Sequence, residues 1–488
     1  MDYKAKTVAG LLAATCVFSI IALILSVVNV KDVFLPPITK YGLVFDAGST
    51  HTALYIYRWP ADKENGTGIV SQVEACTAPG SGISSYANNP AEAGAILKPC
   101  LDKAMKIIPA EQQRDTPTYL GATAGMRLLC QTCLNLPAIG EYPVDFRGAQ
   151  ILTGNEEGSF GWITINYLLE TLVKVRARGE GGEGLPSLLY VVGALDLGGA
   201  STQITFLPGT TIDDSSTRSL LRLYGANYSI YTHSYLCYGQ NQALKMLMGS
   251  PSPQQISHPC YPVGYQENIT TSDLYNSPCV RAPSTPSPAQ VLTVIGTGDP
   301  AACSTAIQKL FNFTCGTNRT CGFNGVYQLP VRGQFFAVLG LCSQLQCGAL
   351  PHSVGVQSTA LCWQYPPALP PLQMQEEFPT MNRTHLRDVC AASSYILTLL
   401  LQGYKFNHTT WLDIHFVQQV ANVDVGWTLG YMLNLTNMIP SETPQRVVGL
   451  QRSNWVAATV LLAVMIILIF CLLTVICCQK NSSGYESL

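Results

Sequence analysis

The pattern of apolar and polar positions divides the chain into two long uncharged runs and a mixed segment between them. The first run, 8–28, has 21 residues without a charge, and the second run, 456–478, has 23. A helix needs about 20 apolar residues to cross the hydrocarbon core of a bilayer. The first run is longer than the apolar part of a secretory signal peptide, and no small-x-small cleavage pattern follows it. The pattern therefore predicts two transmembrane helices, at 8–30 and 456–478.

Basic residues stand at the chain-terminal side of each run, with Lys4 and Lys6 before the first and Lys480 after the second. Cytosolic flanks of membrane spans are enriched in Lys and Arg. We therefore expect both termini, 1–7 and 479–488, to lie in the cytosol. The segment between the spans would then lie on the other side of the membrane.

Within the middle segment, one strand–turn–strand pattern occurs twice. The stretches 41–57 (YGLVFDAGSTHTALYIY) and 192–206 (VGALDLGGASTQITF) each contain a β-prone run that ends in an aspartate, Asp46 or Asp196. A turn rich in Gly, Ser and Thr follows, and then a second run with alternating apolar positions. A duplication at a spacing of about 150 residues is typical of two related halves that face each other, and not of a solenoid.

Other stretches predict a mixture of helices and strands, and hence a mixed α/β fold. Helical periodicity indicates helices over 90–108, 160–175 and 388–402, and 118–129 has the pattern of a strand, a turn and a helix start. From 237 to 321 the chain is rich in Cys, Pro, Asn and Ser, which predicts an insertion braced by disulfides.

Composition supports a membrane-anchored protein whose middle segment lies outside the cytosol. Only 12% of the residues are charged, against about 25% in an ordinary soluble domain. The net charge is −2 and no basic patch is visible, so a nucleic-acid partner is not expected. Of the 18 cysteines, 14 lie in 31–455, as an oxidising compartment permits. Eight N-glycosylation sequons lie there too, at Asn65, Asn227, Asn268, Asn312, Asn318, Asn382, Asn407 and Asn434.

The two polar turns have the composition of phosphate-binding loops. Glycines in 48–50 and 198–201 let the backbone approach a ligand, and backbone N–H groups and hydroxyls can hold phosphate oxygens. An aspartate at the head of each turn would repel phosphate, so we expect Asp46 and Asp196 to hold a divalent cation, often through water. Either turn alone is more typical of a structural hairpin. Two copies in matching contexts favour a binding site.

Five stretches resemble the apyrase signature regions of the ecto-nucleoside triphosphate diphosphohydrolases, in that family's order. They are DAGST at 46–50, GATAGMR at 121–127, GNEEGSFGW at 154–162, DLGGASTQ at 196–203 and DVGWTLGYML at 424–433. The resemblance covers most of 40–440, and the stretches 59–70 and 232–239 are similar to the family's liver-canalicular branch.

The resemblance implies a two-lobed fold like that of actin, the sugar kinases and the heat-shock ATPases, with a nucleotide between the lobes. Lobe I would comprise 31–153 and 418–452, and lobe II would comprise 154–417 with the disulfide-rich insertion. The family hydrolyses nucleoside tri- and diphosphates to the monophosphate with Ca²⁺ or Mg²⁺, and so controls extracellular ATP and ADP. The expected location is therefore the plasma membrane, with the ectodomain outside and the bilayer contacted by two helices; a homo-oligomer is left open.

The matched motifs imply a role for each site residue. Glu157 would be the general base, with Gln203 helping to orient the attacking water and Thr123 contacting phosphate and water. The phosphate-binding positions would be Ser49, Thr50, His51, Ala124, Gly198, Gly199, Ala200 and Ser201. Asp46 and Asp196 would hold the metal through water, with Trp427 closing that side of the cleft. Taken without the motif, the neighbours Glu156 and Glu157 are more typical of a solvated surface pair.

The resemblance also implies five disulfides, Cys76–Cys100, Cys237–Cys279, Cys260–Cys303, Cys315–Cys321 and Cys362–Cys390. Four further cysteines, Cys130, Cys133, Cys342 and Cys347, have no counterpart in the family pattern and no predicted partner.

The sequence departs from the family over 338–379, a stretch rich in Pro, Cys and Gln. In the family an aromatic-rich helix at this place supplies a tyrosine that stacks on the nucleotide base. The opposing tyrosine position is Val389, and an arginine found near the base in some relatives falls near Gln240 and His385. We therefore expect weakened base binding. One hypothesis is that 338–379 derives from a variant exon or an error in the coding sequence.

Three alternatives compete with hydrolysis. Two spans around a glycosylated, cysteine-rich ectodomain also fit an ATP-gated channel, which would leave the duplicated turns unexplained. A catalytically inactive ATP-binding receptor and a kinase on the same fold are the others, and the predicted topology disfavours the kinase. The chain contains no Gly-Lys dipeptide and no HExxH, which excludes a P-loop and a zincin.

Overall fold

The structure, a computed structural model, describes 3–27, 33–34, 38–63, 68–87, 89–129, 137–172, 191–248, 255–282, 290–316, 320–339, 383–439, 441–442, 446–447 and 452–482. The chain divides into two compact units. One comprises Met1–Ile38 with Glu442–Leu488, and the other comprises Thr39–Ser441. The predicted division between the lobes, after residues 153 and 417, lies inside the second unit and stays a prediction. The outer ends of predicted lobe I, 31–38 and 442–452, belong to the first unit instead.

The described residues form strands β1 Val33–Phe34, β2 Thr39–Ala47, β3 Thr52–Pro60, β4 Ser71–Thr77, β5 Pro117–Ala122, β6 Asp145–Ile151, β7 Gly193–Leu197, β8 Ser201–Phe206, β9 Arg218–Leu223, β10 Ala226–Leu236, β11 Gln255–His258, β12 Gln266–Thr270, β13 Val291–Gly296, β14 Phe335–Leu339, β15 Ile414–Val417, β16 Gln419–Val420, β17 Val423–Asp424 and β18 Arg446–Val447. The helices are α1 Tyr3–Val27, α2 Pro90–Ala95, α3 Lys98–Ile107, α4 Ala110–Gln113, α5 Ala124–Leu129, α6 Pro137–Gly140, α7 Gly154–Leu168, α8 Gln240–Met248, α9 Thr271–Tyr275, α10 Pro300–Gln308, α11 Arg383–Leu397, α12 Trp427–Met438 and α13 Arg452–Ser482.

The smaller unit contains the two terminal helices. Helices α1 and α13 pack against each other, and β1 pairs antiparallel with β18. Within α13, Trp455–Thr474 is long and apolar enough to cross a membrane, whereas the apolar part of α1, Val8–Ala22, is shorter. The described residues therefore contain one candidate span, and the second predicted span stays a prediction.

In the larger unit, two mixed sheets repeat one arrangement. The first sheet has the strand order β4-β3-β2-β5-β6, and the second has β9-β10-β8-β7-β14-β15. In each sheet a central strand, β2 or β7, pairs antiparallel with its hairpin partner and parallel with a later strand on its other side. The predicted strand–turn–strand repeat is therefore confirmed at both copies. Asp46 and Asp196 are each the second-last residue of the central strand.

Two helices fill the space between the sheets. Helix α12 packs on β2 and β3 of the first sheet, α7 packs on β7, β8 and β10 of the second, and the two helices pack on each other. They cross closely because Gly430 has no Cβ, which would meet the backbone oxygen of Phe160. Trp162 and Met432, both 0% exposed, belong to the apolar cluster at this junction.

All three predicted helices differ from the observed ones in their bounds. The helix predicted at 160–175 is α7, which begins six residues earlier, at Gly154, and ends at Leu168. The stretch 90–108 forms two helices, α2 and α3, because Pro99 stands in the first turn of α3, where its missing N–H is tolerated. The helix predicted at 388–402 begins at Arg383 and ends in a π-helical turn at Thr398–Gly403. The strand and helix start predicted at 118–129 are confirmed as β5 and α5.

Four of the five implied disulfides are present among the described residues. They are Cys76–Cys100, Cys237–Cys279, Cys260–Cys303 and Cys315–Cys321. Cys390 is disulfide-bonded, and its predicted partner Cys362 lies outside the described residues, as do Cys130, Cys133, Cys342 and Cys347. The bonds Cys237–Cys279 and Cys260–Cys303 brace the insertion that contains the three-stranded sheet β11-β13-β12.

The sequons differ in their accessibility. Asn227, Asn268, Asn312 and Asn407 are exposed or half-buried, and Asn65, Asn318 and Asn382 lie outside the described residues. Asn434 is half-buried on α12, and the hydroxyl of its sequon Thr436 is buried and donates to the backbone oxygen of Leu433. In the folded state this sequon is therefore less accessible than the other four described ones, and its glycosylation stays a prediction.

Candidate active site

A cavity of about 460 Å³ opens where the two central strands end; we call it the cleft cavity. Its lining includes most of the residues expected from the sequence: Asp46, Gly48, Ser49, Thr50, His51, Thr123, Glu157, Asp196, Gly198, Gly199 and Trp427. The predicted residues Ala124, Ala200, Ser201 and Gln203 are buried and lie beside this lining without being part of it. The structure thus brings both halves of the repeat to one site.

The two polar turns meet across this cavity. One turn joins β2 to β3, the other joins β7 to β8, and both lie at the ends of buried strands. A Cβ on Gly199 would lie 2.6 Å from Thr50 Cγ2 and 2.8 Å from Ser49 Oγ, so glycine permits this close approach. Thr50 Oγ1 also lies 3.1 Å from His51 Nδ1. Backbone N–H groups and hydroxyls from both halves are therefore collected in one place, as a phosphate ligand requires.

The side chains of Glu156 and Glu157 point in different directions from the first turn of α7. Thr153 caps the helix by accepting a hydrogen bond from the Glu156 N–H, while the Glu156 carboxylate accepts from the Thr153 N–H at 2.8 Å. This reciprocal capping box holds Glu156 at the start of the helix, away from the cleft. Glu157, the next residue, points inward and is only 7% exposed. The two glutamates are therefore not a solvated surface pair.

Two glycines let α7 lie directly on the second sheet. A Cβ on Gly154 would meet Ser234, and a Cβ on Gly158 would lie 2.7 Å from Thr205 Oγ1 and 2.8 Å from Thr232 Oγ1. Residues four apart lie on the same face of a helix, so the GNEEG sequence presents a smooth face to the strands. This close packing places the Glu157 side chain beside the cleft.

The Glu157 carboxylate is held by a network from several elements. It forms an ion pair with Arg127 of α5 and accepts a hydrogen bond from Gln203 Nε2 at 2.9 Å. Gln203 Nε2 also lies 2.7 Å from Ser201 Oγ, and Arg127 Nη1 lies 3.3 Å from Ser234 Oγ. Gln203 thus contacts the predicted base, and its expected part in orienting the attacking water stays a prediction.

Burial dominates the electrostatics of the three carboxylates in the cleft. It raises the pKa of Glu157, and the Arg127 guanidinium opposes that shift. It raises the pKa of Asp46 to about 7, with repulsion from Glu157 adding to the shift. It raises the pKa of Asp196 to about 8, again with repulsion from Glu157 and Asp46. If all three carboxyls were deprotonated, the site would hold more negative charge than Arg127 alone can balance.

The chemistry of these residues fits a divalent cation. Asp46 Oδ1 is buried without a hydrogen-bond partner. The indole N–H of Trp427 lies beside this carboxylate and lowers the Asp46 pKa, against the effect of burial. A carboxylate oxygen that is buried without a hydrogen-bond partner is costly unless a cation or a hydrogen-bond donor contacts it. The described part of the chain has no group of three or more His, Cys, Asp or Glu ligands. Magnesium needs no such group, since it is commonly bound by one or two carboxylates, water and substrate phosphates.

Several residues at the site carried no predicted role. Arg127 is the last residue of the signature stretch at 121–127, yet its ion pair with Glu157 depends on how α5 meets α7. Ser234 lies beside Gln203 only because β10 pairs with β8 in that register. Tyr55 and Asn241 also line the cleft cavity. Of these residues, only Arg127 carried a signal in the sequence, because a charged residue within a signature motif is a candidate site residue.

The positions implied for base recognition are only partly described. Gln240 and Val338 line the cleft cavity, and Val389 lies on α11. The rest of the atypical stretch, from residue 340 onward, and the His385 side chain lie outside the described residues. The weakened binding of the nucleotide base therefore stays a prediction.

Known proteins resemble this chain along almost its whole length. The sequence matches the GDA1/CD39 (nucleoside phosphatase) family over residues 35–448. Ectonucleoside triphosphate diphosphohydrolase 8 of Gallus gallus is 63% identical over 476 residues, covering 94% of this chain and 95% of the relative. The Homo sapiens protein of the same name is 46% identical, covering 96% of this chain and 97% of the relative.

A solved structure shares the fold. The crystal structure of nucleoside triphosphate hydrolases from Neospora caninum superposes with a TM-score of 0.53 at 15% identity, covering 81% of this chain and 92% of that chain. At this identity the likeness concerns the fold alone, and it agrees with the mixed α/β architecture described above.

Proposed function

Because the chain belongs to the GDA1/CD39 nucleoside phosphatase family, we propose that its cleft hydrolyses nucleoside triphosphates and diphosphates to the monophosphate, one terminal phosphate at a time. The relatives described above, whose alignments cover 94% and 96% of this chain, are named ectonucleoside triphosphate diphosphohydrolases. The observation that carries the proposal is the buried Glu157 carboxylate lining the same cavity as two phosphate-type turns from opposite halves.

Glu157 acts as general base in this proposal. A water molecule within hydrogen-bond reach of the carboxylate gives up a proton to it as the water oxygen bonds to the terminal phosphorus. The bond from that phosphorus to the bridging oxygen breaks, and its electron pair leaves with the shorter nucleotide. The products are orthophosphate, that nucleotide and a proton. No covalent intermediate with the protein is needed.

The remaining residues stabilise charge and hold geometry. Backbone N–H groups and hydroxyls of the two turns donate to the phosphate oxygens, where preorganised donors lower the barrier most. Asp46 and Asp196 would hold Ca²⁺ or Mg²⁺, which supplies positive charge to the same oxygens when bound. Gln203 and Arg127 keep the Glu157 carboxylate in place. Thr123 lines the cavity beside them and is suited to contact phosphate or water.

The location follows from the predicted topology. A cleft outside the cytosol meets extracellular nucleotides, and four sequons at accessible positions agree with a glycosylated surface. We place the catalytic unit outside the plasma membrane, anchored by α13 and, in our proposal, also by α1.

Phosphate release from ATP, ADP and AMP added outside intact cells that express the full chain tests this function. We expect release from ATP and ADP but not from AMP, with Ca²⁺ or Mg²⁺ required and a chelator abolishing it. Re-addition of either metal should restore the activity, which controls for damage by the chelator. Cells that carry the empty vector give the background.

Surface expression without release from either ATP or ADP would overturn the proposal. Release that continues unchanged in the chelator would overturn the part assigned to the two aspartates.

A further inference from the structure

A second cavity adjoins the two phosphate turns. It has a volume of about 300 Å³ and shares Ser49, Thr50, Gly199 and Asn241 with the cleft cavity. We call it the rear cavity. Its other lining residues include Ser84, Gly125, Gln242, Lys245 and Ser277.

The chemistry of the rear cavity is opposite to that of the cleft cavity. Among the described residues no carboxylate lines it, and its polar groups are hydroxyls, amides and the ammonium of Lys245. Lys245 Nζ lies 3.5 Å from the backbone oxygen of Asp273, a contact too long to engage the ammonium strongly. Ser277 Oγ donates to Gln242 Oε1 at 2.6 Å, which fixes that amide. Such a set of donors suits a small oxyanion.

The two turns take part in the lining of both cavities. A Cβ on Gly125 would lie 2.9 Å from Ser49 Cα and 2.8 Å from Ser84 Oγ. On the other side of the cleft, Gly199 approaches Ser49 and Thr50 just as closely. The groups proposed to hold the terminal phosphate therefore also border the rear cavity.

The charges on the two sides differ in sign. Glu157, Asp46 and Asp196 line the cleft cavity, whereas Lys245 is the charged side chain lining the rear cavity. Orthophosphate released at the turns carries up to two negative charges near neutral pH. The Lys245 ammonium of the rear cavity would attract this charge.

We propose that the rear cavity binds inorganic phosphate and forms the subsite through which this product leaves the turns. The inference rests on the proposed function, since it takes the product of that reaction as ligand. The same oxyanion chemistry could come from the phosphates of a second nucleotide, and the test separates the two sources.

Inhibition of ATP hydrolysis by added inorganic phosphate is the first measurement, made on the full-length protein with Lys245→Gln and Lys245→Glu. Wild-type inhibition should persist at saturating ATP because phosphate and nucleotide occupy different places. Lys245→Gln should raise the inhibition constant for phosphate about fivefold, as expected for one solvent-facing charge-assisted hydrogen bond, and Lys245→Glu should raise it further. The KM for ATP should stay within about twofold of wild type. Lys245→Arg should keep the inhibition.

Lys309→Gln is the matched control, because Lys309 is exposed in the same half of the molecule and does not line the rear cavity. It should leave both phosphate inhibition and hydrolysis unchanged. A phosphate inhibition constant that is the same in the wild type, Lys245→Gln and Lys245→Glu would overturn the proposal. So would a KM for ATP that rises in parallel with it, since the rear cavity would then hold nucleotide.

Calorimetric titration of inorganic phosphate into the full-length Glu157→Gln protein, with and without Lys245→Gln, does not depend on turnover. Weaker phosphate binding with Lys245→Gln supports the inference, and equal binding overturns it. If the wild type hydrolyses no nucleotide, the proposed function fails, and this titration still decides whether the rear cavity is a phosphate site.

Discussion

Glu157→Gln is expected to lower kcat for phosphate release from ATP by about 10²- to 10⁴-fold, the usual contribution of a general base. The amide has nearly the same shape as the carboxylate, and its carbonyl oxygen can still accept from Arg127 and Gln203. It cannot accept the proton of the attacking water. The KM for ATP should therefore change by less than about threefold, because the lost interaction belongs to the transition state. Initial rates on the full-length protein measure both quantities.

Glu156→Gln is the matched control for this prediction. Glu156 carries the same side chain one position before Glu157, where it completes the capping box of α7. Its replacement should keep kcat and lower the free energy of unfolding by no more than about 1 kcal/mol. A Glu157→Gln enzyme with nearly wild-type kcat, or a Glu156→Gln enzyme with the same loss, would contradict the assignment of the base.

Arg127→Met should shift the acid side of the pH profile of kcat/KM to higher pH. Burial raises the pKa of Glu157 and Arg127 lowers it, so removing the guanidinium raises that pKa further. The base works only when deprotonated, and activity would then appear at a higher pH than in the wild type. At neutral pH we expect a loss of about tenfold or more, the size of a shift of one pKa unit or above. Rates across the pH range measure the shift.

The same variant should be destabilised, since breaking a buried ion pair from one side costs about 3–5 kcal/mol. The double variant Arg127→Met/Glu157→Gln removes both charges and should recover much of that stability in denaturant unfolding. Arg127→Lys keeps a positive charge and should leave the acid side of the profile closer to that of the wild type. If kcat/KM fell on the acid limb at the same pH in the wild type and in Arg127→Met, the coupling of Arg127 to the base would be contradicted.

The duplicated hairpins were predictable because their signal is local. Alternating apolar positions, a terminal aspartate and a Gly/Ser/Thr turn lie within 17 residues in the first copy, and β2–β3 and β7–β8 follow that pattern. The meeting of the two turns across one cavity was inferred from the repeat alone. Their common position at the ends of matching central strands supports that inference.

The different positions of Glu156 and Glu157 could have been predicted from a helix-capping signal in the sequence. Thr153 and Glu156 have the spacing of a capping box, which marks the start of α7 and removes Glu156 from consideration as a catalytic group. Without that signal, only the resemblance to a family separated the two residues.

The network around Glu157 could not be predicted from the sequence. Arg127, Gln203 and Ser234 are far apart along the chain, and they meet through the β8–β10 register and the contact of α5 with α7. Such contacts depend on packing between elements, for which a single sequence carries no periodic signal. The rear cavity is hidden for the same reason, because α5 and α8 reach it from different halves.

The central claim is that the terminal phosphoryl group passes directly to water activated by Glu157. Its most direct test is the stereochemical course of hydrolysis of ATP with a chiral γ-thiophosphate, using the full-length protein in oxygen-isotope-labelled water. A single in-line displacement predicts inversion of configuration at phosphorus. Retention would show two displacements through a phosphorylated side chain and would contradict the account.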